Sequence, residues 1–597
     1  MKDREIPVLT TYNVASFDIL IDEELVDPGY QILSISVIKE INKVPTAKIV
    51  LKDGDSAEES FRISEQEEFL PGKSIQIKAG RDGENEQIFK GVIVKHAVKV
   101  KESGETELIL DCRDAAVKMT IGRHNYYYEE SKDSDIMEEI IGRYSNLSHD
   151  VEATNGTHFE MVQHHCTDWD FLLTRAEVNG KFVIVDDGKI NIKAPETNVD
   201  PALAVLFGST LIDFEAEMDA RNQWASVEAR SWDYAGQDIF EHVTESVSIN
   251  EPGNVSGQTL SESLSPEKIE LRHSGQAIEE ELQEWTKAIL QKSRLAKIQG
   301  RAKLIGFPNI KPGQLIELQG VGLRFIGNAF VSAVRQDVVN GSWYTQVQFG
   351  LKPDCFQHLH KDVIDFSAAG LVPSVNGLQI GKVVQLQDDP DGENRILVRL
   401  PIVDNAARGV WARVATLDAG SGDTNGGRGS FFLPEIEDEV IVGFLNDDPR
   451  DAVVLGMLNS SAKPAPLDAQ DDNHEKGFVT RSKMRVHFHD DTKTITIDTP
   501  AGNSIMLDED STSIMIKDQN DNSIELQPDG ININSPKDIN INASGDINIK
   551  SDKNIKLESA LALEAKASST LELKGSASAK LAADGMTEIK GSMININ

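Results

Sequence analysis

Two apolar positions separated by one polar residue recur every eight residues from Ile531 almost to the C-terminus. One column reads Ile531, Ile539, Ile547, Ile555, Leu563 and Leu571, then weakens to Ala579 and Thr587. Its partner column reads Ile533, Ile541, Ile549, Leu557, Ala565, Leu573, Leu581 and Ile589. A spacing of two sends both side chains to one face of a strand, while Asn532, Asn540, Asn548 and Lys556 take the other. A fixed repeat of short strands predicts a stacked architecture that grows along one axis. Gly530, Gly545, Gly575, Gly585 and Gly591 fall between pairs, where the chain must turn.

A three-residue strand offers only two apolar groups, so a lone ladder would leave a face of Ile and Leu in water. Two closures bury that face. One chain winds into a solenoid of three octads per turn, or three identical chains each supply one side of a triangular prism at every level. Eight octads make fewer than three solenoid turns, which favours three chains. Burying about six aliphatic side chains per level, at roughly 1.5–3 kcal/mol each, is worth on the order of 10 kcal/mol before ordering entropy is subtracted. The expected trimer core is Ile531, Ile533, Ile539, Ile541, Ile547, Ile549, Ile555, Leu557, Leu563, Leu571, Leu573, Leu581 and Ile589. Wider rungs precede it at Ile495/Ile497, Ile505/Leu507, Ile514/Ile516 and Ile524/Leu526. Four wide and eight narrow rungs at ~4.8 Å per strand predict a rod roughly 60 Å long. The register slips by one at Ile594 and Ile596, as capping a prism requires.

Upstream the pattern changes. Residues 1–365 mix strand-like alternation, over 31–37, 47–51, 74–79 and 107–112, with three helices. The first starts at Ser134 as cap and carries Ile136, Ile140, Ile141 and Tyr144. The second runs from Thr167 through Trp169, Phe171, Leu172 and Ala176 to a stop at Gly180. The third spans 278–296, with Leu282, Trp285, Ile289 and Leu290 turned inward. This predicts an α+β segment with barrel-like sheets. After a small Pro/Gly-containing linker at 365–377, residues 378–460 read as all-β, with strands near 381–387, 395–400, 410–414, 431–433, 439–445 and 452–458. Short strands at this density predict a small closed barrel of the oligonucleotide/oligosaccharide-binding (OB) type. A second linker occupies 461–477, and the C-terminal β-helix, or β-prism needle, occupies 478–597.

Composition narrows the function classes. Sixty Lys and Arg against ninety-seven Asp and Glu give a formal charge of −37, which opposes binding to nucleic acid or spontaneous adsorption on anionic lipid. Residues 1–10 are charged and lack an apolar core, so no secretory signal is expected. No apolar run approaches the ~18–20 residues of a membrane helix. Cys112, Cys166 and Cys355 form no short motif and suit a reducing cytoplasm. Export by an assembly follows as the expectation.

The barrel region resembles that of VgrG-type spike proteins, relatives of the hub and spike of contractile phage tails. The resemblance lies in Phe432-Leu-Pro-Glu-Ile-Glu-Asp-Glu-Val-Ile-Val-Gly-Phe-Leu445, then Asn446-Asp-Asp-Pro-Arg450 and Val454-Leu-Gly-Met-Leu-Asn459. Gly381-Lys-Val-Val and Ile396-Leu-Val-Arg-Leu-Pro401 match the family's first hairpin, and Trp411-Ala-Arg-Val414 the next strand. Glu437 and Asp447 stand where the family has Gly, which bears on turn geometry. In front, Pro71-Gly, Phe89-Lys-Gly91-Val-Ile, Gln163, Thr167-Asp-Trp-Asp-Phe-Leu172 and Gly180 are similar to the family's hub signature. The resemblance implies a homotrimer whose hub seats on a hexameric tube of Hcp-like subunits among baseplate proteins. The needle would be capped by a PAAR-like tip protein and carry effectors. Such a spike is cytoplasmic until assembled, and contraction in a type VI secretion system or a related extracellular or phage-like device delivers it into a target cell.

Catalytic and metal chemistry has little footing in the residues. Fewer than twenty residues separate Asn459 from the needle, and eight follow Ile589, so neither place where relatives carry an enzyme is filled. No carboxylate pair stands out for acid/base work. No cofactor is expected and no metal is assigned, although Cys355, His358 and His360 have ligand types, and His487 with His489, repeated around a three-fold axis, would too. Residues 388–394 superficially resemble a calcium loop but lack its bidentate Glu, and the Gly-rich 420–429 is not followed by Lys and a helix; both read as barrel loops. The expected function is a structural, non-enzymatic spike. The alternatives are a phage-like tail hub with cell-wall-degrading activity, or a β-prism surface fibre.

Overall fold

Strands dominate because most of the chain alternates apolar and polar residues with period two. The computed structural model describes residues 14–264, 268–406, 408–421 and 427–596. Residues 1–10, read above for the lack of a signal, and the tip of the Gly-rich 420–429 loop lie outside them. The chain divides into two units, Met1–Gly456 and Met457–Asn597.

The first unit is built on a thirteen-stranded sheet. Its centre joins distant parts of the chain: Gly327–Val339 pairs antiparallel with Ile32–Glu40, which pairs with Thr46–Lys52, which pairs with Thr106–Arg113. The sheet ends at Leu211–Met218 on one side and Glu24–Leu25 on the other. Most of the strands expected in barrel-like sheets thus join one large sheet, and the rest form three smaller sheets within 124–273. Two cores lie on it, one around Ile35, Ile49, Ile77, Phe89 and Leu110, the other around Ala302, Ile316, Val331 and Phe349. Gly91 lets two strands approach closely; a Cβ there would sit 2.1 Å from the Arg113 carbonyl oxygen.

The helices follow the sequence within a residue or two. They span Asp133–Gly142, Asp168–Val178 and Glu279–Leu295, with shorter ones at Gly257–Leu264 and Phe356–Leu359 that the sequence pattern does not announce. Thr167 caps the second, its hydroxyl accepting from the Asp170 N–H at 3.0 Å. Gln163 Nε2 donates to Asp168 Oδ1 at 2.7 Å, and the Tyr128 hydroxyl donates to Gln163 Oε1 at 3.0 Å. Past the helix end, Gly180 adopts φ +62°, and a Cβ there would meet Gln291 Oε1 at 2.8 Å. The hub-like signature is thus a scaffold that seats one helix. In the third helix Leu282 and Leu290 are buried, while Trp285 and Ile289 are half-buried.

Beneath the second helix lies a buried ion network. Asp133 accepts from Arg175 Nε at 2.7 Å, Arg175 Nη2 at 2.9 Å and Asn179 Nδ2 at 2.8 Å, with His158 Nε2 at 3.2 Å. Burial alone would raise the Asp133 carboxyl, but the His158 hydrogen bond and the Arg175 hydrogen bond and charge outweigh it, so it lies well below the usual carboxylate range.

Five strands, Gln379–Gln385, Ile396–Arg399, Val410–Val414, Ala452–Met457 and Glu439–Phe444, close into the expected barrel in that order. Val383, Val398, Ala412, Val440, Val442 and Val454 fill it. Residues 431–433 are not a strand; instead Ala419–Ser421 pairs with Gly427–Gly429 as a separate hairpin. In the 388–394 loop, Asp389 accepts from Arg395 Nη2 at 2.7 Å and from the backbone N–H groups of Glu393 and Arg395, so its carboxylate closes a turn. The two departures from the family's glycines keep the glycine geometry: Glu437 sits at φ +67° and Asp447 at φ +58°.

Two stability predictions follow from these features. Asp133→Asn removes one partner of a buried pair and is expected to cost the first unit about 3 kcal/mol in denaturant unfolding near neutral pH. A carboxyl lowered by folding contributes stability that is full above its unfolded value of about 4 and is lost as pH falls below it. The gap between parent and variant is therefore expected to narrow below pH ~4. Glu437→Gly relieves a left-handed non-glycine residue and is expected to raise barrel stability by about 0.5–1 kcal/mol in the same assay.

Candidate functional site: an apolar face without an in-chain partner

Seven antiparallel strands from Glu475–Val479 to Gly530–Asn534 pair strictly in chain order in the second unit. The ladder starts within the stretch read as linker and adds two rungs, Glu475–Val479 and Arg485–His489, before the four wide rungs read from sequence. Each strand has five residues, so positions two and four share a face. The register aligns them without a slip. One column runs Phe488, Ile495, Leu507, Ile514, Leu526 and Ile531; the other runs Phe478, Val486, Ile497, Ile505, Ile516, Ile524 and Ile533.

Among the described residues, nothing covers that face. Ile497, Ile505, Ile514, Ile516 and Ile524 are each about 40 % exposed despite flanking strands on both sides. A groove of about 640 Å³ opens along it, lined by Ile497, Ile505, Ile516, Ile524, Ile533 and Ile539. The opposite face carries His487, Thr496, Met506, Met515, Glu525 and Asn532 down its middle. Ion pairs and turn hydrogen bonds line the sheet's margins: Arg485 meets Asp498 at 2.9 Å, and Asp518 accepts from Asn522 Nδ2 at 2.8 Å. The latter bond, with backbone N–H groups, lowers the Asp518 carboxyl to about 2.

Past Asn534 the pairing mode changes. Among the described residues, no backbone–backbone hydrogen bond within the chain involves 535–596. The segment is nevertheless regular. It bends at 536–537, 544–545, 552–553, 560–561, 568–569, 576–577 and 584–585, a period of eight. The residue that opens each of these bends is small: Ser535, Ala543, Ser551, Ser559, Ala567, Gly575 and Ala583. Every expected core residue from Ile531 to Ile589 is more than half exposed, from 53 % at Ile547 to 85 % at Leu573. A solenoid would satisfy this backbone within the chain, and the chain does not do so.

The metal candidates fare differently from the apolar columns. His487 and His489 occupy positions three and five of their strand, so they lie on the face away from Val486 and Phe488. An axis formed by the apolar face would leave them outside it. His489 stacks on His474 at 6.0 Å, and His487 Nε2 lies 3.5 Å from Glu475 Oε1. Cys355 is half-buried just before the short helix Phe356–Leu359, His358 and His360 are exposed, and the His360 ring packs on Phe356 at 4.8 Å. Among the described residues, no group of three or more His, Cys, Asp or Glu is arranged to hold a metal ion. All three cysteines are free, and burial pushes the Cys112 thiol up to about 12, which makes it inert. Among the described residues, no helix is long and apolar enough to cross a membrane.

Sequence reasoning missed Phe478, Val486 and Phe488 as the start of both columns. The signal was present as alternation in Arg485-Val-His-Phe-His489, where the histidines drew attention instead.

Two family models match the chain. Residues 11–340, more than half of it, match the Alg8 N-terminal domain, and residues 379–458 match the type VI secretion system/phage-baseplate injector OB domain. No curated protein matches. Among solved structures, a tail protein from Neisseria meningitidis is similar at 15 % identity over 57 % of this chain and 99 % of its own, with a TM-score of 0.43. A type VI secretion system component of E. coli shares 12 % identity over 74 % of this chain and 99 % of its own, with a TM-score of 0.37. A Francisella PdpA–VgrG complex shares 10 % identity over 87 % of this chain and 88 % of its own, with a TM-score of 0.38. Identity of this level fixes no residue-by-residue correspondence. The family matches coincide with the large hub sheet and with the closed barrel, whose six valine and alanine core residues were described above. The chain belongs to the Alg8 N-terminal domain family, matched over residues 11–340, and its closed barrel matches the type VI secretion system/phage-baseplate injector OB domain.

Proposed function

We propose that the chain is a non-enzymatic, homotrimeric central spike of a contractile injection machine. Three copies close the apolar columns of 475–534 against one another and wind their 535–596 segments into a triple-stranded β-helix, the needle. The observation that carries this reading is the period-eight bending of a segment whose apolar pairs are all exposed and whose backbone finds no partner in its own chain. Extended strands bent every eight residues are matched in spacing by identical strands, and a second and third copy supply them. Each aliphatic side chain so buried contributes roughly 1.5–3 kcal/mol.

The rest of the reading builds on the family. The large-sheet hub seats on a tube of Hcp-like hexamers within the baseplate, and the barrel forms the neck. The needle end takes a PAAR-like tip protein and effectors travel with the spike. The protein resides in the cytoplasm until assembly, and contraction carries it into the target. The charge of −37 per chain supports a rod that is driven through an envelope instead of adsorbing to it.

Sedimentation equilibrium of the purified chain is expected to return three times the chain mass at micromolar concentration; a stable monomer would remove the basis of this reading. Ile547→Asp places three carboxylates inside one level and is expected to abolish the trimer. A trimer that survives this change with unaltered heat resistance would show that Ile547 does not face inward.

A further inference from the structure

The two halves of the C-terminal unit are periodic in different ways, and the difference bears on how three chains find one register. The octads repeat one pattern, Ile/Leu pairs eight residues apart, interrupted only at Ala565, Ala579 and Thr587. Sliding one chain by a single octad leaves its remaining apolar pairs facing apolar pairs and forfeits about one level of burial. A repeat of this kind specifies register weakly. The seven-stranded meander is unlike it. Its strands begin at 475, 485, 494, 504, 513, 523 and 530, and successive strands run in opposite directions. A one-rung slip between copies would set each strand level with one running the other way, and shift every hairpin loop off its counterpart.

The meander's seven strands also pair with one another within one chain, so that among the described residues only the outer edges of Glu475–Val479 and Gly530–Asn534 lack a neighbouring strand. Its exit is fixed. Ser535 Oγ donates to Asn522 Oδ1 at 2.5 Å, and Pro536, which has no N–H to offer a ladder, follows. Ser535 Oγ then accepts from the Lys537 N–H at 3.2 Å, and Ser551 Oγ accepts from the Lys553 N–H at 3.2 Å two octads later. The first bend of the 535–596 segment is thereby held to the 518–522 loop between the meander's fifth and sixth strands.

We propose that the meander face bearing Val486, Phe488, Ile497, Ile505, Ile516 and Ile524 is the registration clamp of the assembly. It docks on the same face of two further copies of this chain, and the level it sets is inherited by the octads, which lack the information to choose it. This proposal rests on the three-chain reading above.

The test uses full-length chains carrying Cys355→Ser, with Leu563→Cys in one and Leu571→Cys in the other, co-expressed and oxidised, with cross-links identified by peptide mass. With the meander unaltered, the expected inter-chain products are 563–563 and 571–571 alone, because equal positions share a level. Ile505→Ser with Ile516→Ser in the meander is expected to lose that exclusivity: 563–571 products appear, or the chains remain monomers although every octad is intact. The matched change Ile547→Ser with Ile549→Ser in the octads is expected to keep equal-position products only. A meander variant that stays trimeric with equal-position products only, or an octad variant that yields 563–571 products, overturns the proposal. An unaltered chain that sediments as a monomer instead sinks the three-chain reading itself, and the two failures are distinct.

Discussion

An aliphatic face and a length of backbone that one polypeptide cannot satisfy alone govern the C-terminal unit. Extended segments of two apolar residues per rung have no second layer to pack on, so the favourable term is available only when another strand array meets them. In the meander, strand pairing is settled within the chain and the apolar face is left over. In the octads, neither the face nor the backbone is settled. On the proposed reading, pairing with further copies opposes the ordering entropy of these some sixty residues.

Much of this was legible in the sequence because it is local. The octad needs no tertiary knowledge: spacing of two within a pair and eight between pairs fixes face and turn. The five barrel strands were legible for the same reason. Thr167 and Gly180 bracket their helix through a cap and a left-handed stop, both short-range devices. What could not be read was non-local. That 327–339 lies beside 32–40, making one sheet of what reads as separate barrel-like pieces, depends on pairing across three hundred residues that no local pattern encodes. The strand expected at 431–433 does not form, and Pro434, which has no N–H to offer a ladder, follows it directly.

The histidines of Arg485-Val-His-Phe-His489 make a different point. Their side chains have metal-ligand types, yet period two assigns them to the face opposite Val486 and Phe488. The backbone pattern outranks side-chain type when the two conflict. Glu437 and Asp447 show the reverse case. Their side chains disfavour the left-handed turn the family builds with glycine, yet the turn is kept, since the barrel strands on either side determine it and the cost of about 1 kcal/mol per residue is small against closure of a core.

Hub, barrel and C-terminal unit thus divide the work by the way each satisfies its own backbone. The first two close their cores within the chain, and on the proposed reading the last is finished by association. Amide hydrogen exchange over 539–589 in the purified oligomer tests this most directly. Uniformly slow exchange, matching that of the meander, is the predicted result, because every N–H there would be held by a neighbouring copy. Free, unprotected exchange throughout the stretch would contradict the account.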